Sequence, residues 1–121
     1  MPEDASPILD PKVLGELRAL EEGGSPGLLA ELIDLFLKQG AKQLGEMREA
    51  LTSKDGAGLG RLAHTMKGSA GSLGAARLSG LCRELEAAIR AKSWPEVGAR
   101  VGESEAEFAR VRAALEEERR R

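Results

Sequence analysis

Apolar residues recur along most of this chain at intervals of three and four, the spacing that collects them on one face of an α-helix. Five segments show this pattern, and glycine, proline, serine or aspartate stands between one segment and the next. No stretch alternates apolar with polar residues as a half-buried β-strand does. The pattern therefore predicts an all-α protein.

Capping residues predict where the first two helices begin and end. Asp10 before a proline is a typical start for a short first helix, which the glycines at positions 23 and 24 end. Leu9 and Leu14 can form a hydrophobic staple across that start. Ser25 before another proline predicts the start of a long second helix that runs to about Leu51.

The same kinds of signal delimit three further helices. Asp55 is the expected cap of the third, the fourth spans about Ala75 to Ala91, and Ser93 with Glu96 forms a capping-box signature for the last. Four substantial amphipathic helices with short connections predict an up-down-up-down four-helix bundle with a short additional N-terminal helix. We therefore expect a flexible leader over residues 1–8, one bundle domain over 9–118 and a basic end over 119–121.

The second helix carries more apolar surface than one packing partner requires. Besides its main stripe, Leu28, Leu32 and Leu35 form a second apolar edge, which Gln39 continues. We expect this edge to leave surface for another protein.

Composition excludes several classes of function. With 18 basic and 20 acidic residues, the chain has no overall positive charge for binding nucleic acid, and the C-terminal arginines are too few to change this. It has no apolar run long enough for a membrane helix. The single cysteine, Cys82, cannot form a disulfide within the chain, which favours the reducing cytoplasm. We interpret Cys82 as a small core residue rather than a reactive thiol.

The single histidine, His64, is predicted to point away from the core. Since a helix turns by about 100° per residue, His64 lies roughly 150° from the middle of the apolar stripe of the third helix. Gly60 and Gly68 lie one turn to either side, although glycine costs a helix about 1 kcal/mol relative to alanine. Arg61 and Lys67 flank the histidine. An exposed imidazole with small neighbours suits the approach of another molecule, and the alternative is an incidental surface histidine.

The residue types around His64 favour phosphoryl chemistry. An imidazole has an ordinary pKa of about 6.5, so its neutral form is an available nucleophile at neutral pH. A lone histidine disfavours a zinc site, and no serine and acid are placed for hydrolysis. Arg61 and Lys67 would attract a phosphoryl group. Because no Walker-type loop is present, that group would come from another protein rather than from bound ATP.

Residues 64–69 read His-Thr-Met-Lys-Gly-Ser, followed by Leu-Gly-Ala at 73–75 and Leu-Cys-Arg-Glu-Leu-Glu at 81–86. This segment resembles the histidine-containing phosphotransfer (HPt) domain, whose hallmark is His-x-Leu-Lys-Gly-Ser followed by Leu-Gly. The resemblance covers about residues 9–117. Met66 replaces the usual leucine, and Ser72 stands where many members have asparagine.

The resemblance implies a bundle that relays phosphoryl groups between receiver-domain aspartates. His64 would accept the group, Lys67 would help to neutralise its charge, and Gly68 would clear space for the receiver. Ser69 would support the helix rather than react. Further residues expected at the docking surface are Gln39, which in some members hydrogen-bonds near the histidine, and Arg61, Leu32 and Leu35.

The same resemblance implies a carrier rather than an enzyme with its own ATP site. Its partners would be receiver domains of response regulators or of a hybrid histidine kinase, and the carrier would be a monomer. No cofactor or metal is expected on this chain, since Mg²⁺ in such systems belongs to the receiver. The abundant alanine, glycine and arginine hint at a bacterial source.

Other interpretations remain open. The chain could be a phospho-accepting domain cut from a larger hybrid histidine kinase, although its start at Met1 and its end soon after the last helix favour a stand-alone or trimmed protein. It could also be an inert helical module that binds a receiver without phosphotransfer. A phosphohistidine phosphatase of the common type would need an Arg-His-Gly arrangement and a second histidine, which the sequence lacks.

Overall fold

A computed structural model describes residues 8–121, which contain five α-helices and no strand. The helices are α1 (Pro11–Glu22), α2 (Leu28–Thr52), α3 (Gly56–Ser72), α4 (Ala76–Arg90) and α5 (Trp94–Arg119). The predicted all-α class is confirmed for this part of the chain. Residues 1–7 of the expected leader lie outside the described residues, whereas Ile8 and Leu9 pack with the core.

Helices α2 to α5 surround one apolar interior. α3 packs between α2 and α4, α5 packs against α4 and α2, and α1 packs on α2. Connections of three residues, 53–55, 73–75 and 91–93, join the four helices. The apolar stripes face inwards, and their fully buried members include Ile33, Met47, Leu59, Met66, Leu78, Leu85, Val101 and Leu115.

A glycine allows α2 and α5 to approach each other closely. A Cβ atom at Gly40 would lie 2.8 Å from Cζ of Phe108, so any larger residue would collide with the ring. The same ring packs against Phe36, with 5.6 Å between the ring centroids. Gly40 therefore serves packing, in contrast to the open glycines of α3 described below.

The start of α2 differs from the prediction made at Ser25 and its proline. The helix begins at Leu28, after Gly27, whose φ of 80° lies in the left-handed region. One N–H of its first turn is satisfied by Glu21 of α1, whose carboxylate accepts a hydrogen bond of 2.9 Å from the Leu29 N–H. The cap comes from a neighbouring helix, so the serine-proline pair was a wrong signal.

The other predicted caps had mixed outcomes. Asp10 and Asp55 cap α1 and α3, and each accepts a hydrogen bond of 2.9 Å from a backbone N–H in the first turn. Ser93 is the N-cap of α5, but its side chain makes no capping hydrogen bond. The capping-box prediction is therefore wrong, and Glu96 lies instead 3.8 Å from Arg100 one turn further on.

Both ends of the described chain are held by the bundle. The Asp10 N–H donates a hydrogen bond of 2.8 Å to the Gly74 carbonyl oxygen, in the connection between α3 and α4. Gly74 has a φ of 81°, which favours glycine. At the other end, the Arg119 guanidinium binds both carboxylate oxygens of Asp34, at 2.7 and 2.8 Å. The basic end expected at 119–121 thus begins within α5.

Candidate functional site

His64 lies on the outer face of α3, and 72% of its side chain is exposed. The opposite face of the helix is fixed by the fully buried Ala63 and Met66. A Cβ atom added at Gly60 or Gly68 would meet nothing within 4 Å. The predicted outward position of the histidine, between two open glycines, is confirmed.

Two other glycines of α3 have different surroundings. A Cβ atom at Gly58 would lie 2.9 Å from Cγ of Asp55, so this glycine makes room for the capping carboxylate. A Cβ atom at Gly71 would lie 3.6 Å from Oγ of Ser79 on α4. Gly71 therefore borders α4, and the open positions beside His64 are Gly60 and Gly68, one turn away on either side.

Glu86 of α4 faces both His64 and Lys67 of α3. Its Oε1 lies 2.6 Å from Lys67 Nζ, and its Oε2 lies 3.3 Å from His64 Nδ1. Only 14% of the Glu86 side chain is exposed. The hydrogen bond from Lys67, with a smaller contribution from His64, holds the pKa of Glu86 below its ordinary value. We call these three side chains the acceptor cluster.

The contact at Nδ1 decides which nitrogen of His64 is available for reaction. An ionised carboxylate can only accept a hydrogen bond, so the proton of the neutral imidazole belongs on Nδ1. The free lone pair then lies on Nε2. Because the ring is largely exposed, a nucleophilic nitrogen is presented at the surface.

Hydroxyl groups hold the backbone of α3 below the acceptor cluster. Ser79 of α4 donates a hydrogen bond of 2.9 Å to the carbonyl oxygen of Lys67. Ser69 and Ser72 donate to carbonyl oxygens four residues earlier, at 3.1 and 3.0 Å. Ser69 and Ser72 thus each make a local hydrogen bond within the helix, and Ser72 does so in place of the asparagine common at that position.

The second apolar edge of α2 forms one wall of a surface groove. Leu32, Leu35 and Gln39 line this groove, whose volume is about 200 Å³, together with Ser69 and other residues of α2 and α3. Leu35 is 51% exposed, so the edge does leave apolar surface unpaired within the described protein. No hydrogen bond joins Gln39 to His64 among the described residues.

Arg61 lies on the side of α3 that faces α2. It lines an open cleft of about 570 Å³ between α2 and α3, together with Glu46 and Glu49. Lys67, in contrast, faces α4 through Glu86. Of the two predicted flanking cations, Lys67 therefore contacts Glu86, the carboxylate partner of His64. Arg61 lies on the side of α3 that faces α2.

Sequence reasoning assigned no role to Glu86, although a signal for it was available. In two antiparallel helices, residues at similar distances from the connection lie side by side. His64 stands ten residues before Gly74 and Glu86 stands twelve residues after it. Counting outward from the Leu-Gly turn would have placed this carboxylate beside the histidine.

Residues 8–121 contain neither a helix suited to span a membrane nor a cluster of possible metal ligands. None of the helices there is both long enough and apolar enough to cross a membrane. No group of three or more His, Cys, Asp or Glu side chains within that range could hold a metal ion.

Comparison with known proteins gives the family. The family model described as "Hpt domain" matches residues 31–119. The chain belongs to the HPt family. An HPt relative, histidine-containing phosphotransfer protein 2 of Arabidopsis thaliana, is 33% identical over 82 residues, which cover 65% of this chain and 53% of that protein. The HPt chain described here therefore spans about half the length of this plant relative.

Solved structures of HPt proteins share the fold. Histidine-containing phosphotransfer protein B from Pseudomonas aeruginosa PAO1 matches with a TM-score of 0.84 and 32% identity, over 96% of this chain and 97% of that one. A histidine-containing phosphotransfer protein from maize matches with a TM-score of 0.83 and 25% identity, over 95% and 89% of the two chains. The resemblance drawn from the motif at residues 64–75 is confirmed.

Proposed function

We propose that this HPt protein carries phosphoryl groups in a multistep phosphorelay. His64 accepts the group from an aspartyl phosphate of one receiver domain and passes it to an aspartate of another. The observation that carries the proposal is the exposed imidazole whose Nδ1 contacts Glu86 and whose Nε2 is open. The names of the relatives, all histidine-containing phosphotransfer proteins, support it.

In the proposed step, Nε2 of His64 attacks the phosphorus atom of the aspartyl phosphate. The N–P bond forms as the P–O bond to the aspartate breaks, and the aspartate leaves as a carboxylate. Glu86 accepts the hydrogen bond from the Nδ1 proton while positive charge develops on the ring, and the ammonium of Lys67, one helical turn after His64, attracts the phosphoryl oxygens. Onward transfer is the reverse step with a second receiver aspartate as nucleophile.

The receiver is proposed to dock across α2 and α3. The exposed Leu35, with Leu32 and Gln39, shares a groove with Ser69 of α3, and Arg61 lines a second cleft between the same two helices. We also infer that α2 to α5 run up-down-up-down, because three-residue connections join neighbouring helices. The chain would be a monomeric carrier without an ATP site, and any Mg²⁺ would belong to the receiver. Its single buried cysteine suits the cytoplasm.

A receiver domain charged with acetyl phosphate tests this function. Incubation with the protein should transfer label to His64 as an acid-labile, base-stable phosphate, and His64→Gln should abolish it with an unchanged melting temperature. ATP alone should give no label. Label that persists in His64→Gln would contradict the assignment.

The same experiment separates the alternatives. An inert receiver-binding module would bind the receiver without taking label. A phospho-accepting domain of a larger hybrid kinase would take label from the receiver of that kinase much faster than from other receivers.

A further inference from the structure

We propose that Glu86 competes with the phosphoryl group for Lys67 and thereby lowers the stability of phosphorylated His64, which favours onward transfer. This inference rests on the proposed function, because it concerns the phosphorylated state of the same histidine. It assigns to Glu86 a role beyond orienting the imidazole.

The geometry makes Lys67 a shared group. Its ammonium lies 2.6 Å from Glu86 Oε1 and pairs with no other carboxylate among residues 8–121. Lys67 also lies one helical turn after His64, on the side from which it can reach a group on the imidazole. The lysine that the sequence assigns to the phosphoryl group is thus already paired before any phosphoryl group arrives.

The charges of the acceptor cluster explain the direction of the effect. Before phosphorylation the Lys67 ammonium and the Glu86 carboxylate cancel, and the neutral imidazole adds nothing. After phosphorylation the ring, which keeps its Nδ1 proton, gains a positive charge and carries a dianion. One net negative charge is thus added near the same carboxylate, and the two anions attract one ammonium. Because Glu86 is largely buried, water and salt screen this repulsion less than at an open surface. In this proposal the repulsion of the dianion and the competition for Lys67 outweigh the attraction of the carboxylate for the charged ring, so the carboxylate opposes the phosphorylated state.

A different role for Glu86 predicts the opposite change in the contribution of Lys67 to phosphohistidine stability. If Glu86 only holds Lys67 in position for the phosphoryl group, loss of its charge should weaken the contribution of Lys67 to phosphohistidine stability. If the two anions compete, loss of that charge should strengthen it. A double-mutant cycle therefore distinguishes the two roles by sign.

The cycle consists of the wild type, Lys67→Ala, Glu86→Gln and the double variant. Glutamine keeps the shape of Glu86 and an oxygen that accepts from Nδ1–H, but it removes the charge. Phosphoramidate serves as the donor: Nε2 attacks the phosphorus atom, the bond to the donor nitrogen breaks, and ammonia leaves. The ratio of phosphorylated to free His64 is measured by ³¹P NMR after equilibration at a fixed ratio of phosphoramidate to ammonium.

Glu86→Gln should raise this ratio by roughly fivefold, the upper end for an ion pair near the surface. Lys67→Ala should lower the ratio in both backgrounds. The fold decrease should be roughly fivefold larger in the Glu86→Gln background than in the wild type. An equal or smaller effect of Lys67→Ala in that background would overturn the proposal, as would an unchanged ratio in Glu86→Gln.

Glu84→Gln is the matched control. It makes the same change of charge on the same helix, but Glu84 is 57% exposed and lies 3.4 Å from Arg100 on α5. It should leave the ratio unchanged, and a rise equal to that of Glu86→Gln would overturn the proposal by showing an effect of net charge alone. The ¹⁵N shifts of the imidazole should show the Nδ1–H form in both variants.

Two further results keep the inference distinct from the proposed function. Absence of N-linked phosphate on wild-type His64 would overturn both, whereas normal phosphorylation with no gain in Glu86→Gln overturns the inference alone. If Glu86→Gln does not fold, Glu86→Asp is measured in its place, because its side chain is shorter by one methylene group and holds the carboxylate farther from Lys67. It should raise the ratio by a smaller factor, and no rise would contradict competition for Lys67.

Discussion

At the scale of single residues, burial separates the side chain proposed to react from one expected to be inert. His64 is exposed, whereas Cys82 of α4 is fully buried. Burial, with a smaller contribution from the Glu86 carboxylate, raises the pKa of the Cys82 thiol to about 12. Because the thiolate is the reactive form, we expect an aromatic disulfide reagent at pH 8 to leave the native thiol unmodified. Unfolding in guanidinium should make it react completely, and rapid modification of the native protein would contradict its burial.

At the scale of a helix, the glycines of α3 lower its intrinsic stability and leave open space beside the histidine. A Cβ atom at Gly68 meets nothing, so Gly68→Ala should raise the free energy of unfolding by up to about 1 kcal/mol. Gly68→Gln should also fold, yet its longer side chain should obstruct the receiver and slow phosphotransfer. Urea unfolding and label transfer from a charged receiver measure the two effects. Normal transfer by Gly68→Gln would mean that the receiver does not approach over this residue.

Gly40 on α2 provides the contrast for that experiment. There a Cβ atom would collide with the Phe108 ring, so Gly40→Ala should lower the free energy of unfolding by about 1–3 kcal/mol. The same substitution thus has opposite effects on an open face and on a packed one. A gain of stability at Gly40 would show that the ring can move aside.

At the scale of the whole molecule, ion pairs join helices that are distant in sequence, and Glu86 makes one of them sensitive to acid. Lys67 and His64 hold the pKa of Glu86 below its ordinary value of 4.5. The ionised group therefore stabilises the folded state above the pKa it has in the unfolded chain, and this contribution is lost as the pH falls through the lower pKa of the folded state. The free energy of unfolding should decline as the pH falls below about 5, and it should decline less in Glu86→Gln. Parallel declines in urea titrations of the two proteins would contradict the pairing.

The sequence by itself determined the features that depend on neighbours along one helix. The helical period placed His64 outside and Met66 inside, and it predicted the exposed apolar edge at Leu35. Asp10 and Asp55 were found as caps because each bonds a backbone group within three residues. The motif at residues 64–75 was sufficient for the family, since its residues are contiguous.

Only the tertiary structure decided which residues meet across helices. The side chain of Glu21 rather than that of Ser25 caps the start of α2, and Glu86 contacts both His64 and Lys67 although it is 22 residues from the histidine. Arg61 faces α2 and is separated from this carboxylate, despite its nearness to His64 in sequence. These outcomes depend on the rotation and axial offset of one helix against another. Those two quantities are fixed by the packing of whole apolar faces, and no local pattern encodes them. The Phe108 ring of α5, which packs into the space left at Gly40 of α2, is one such contact.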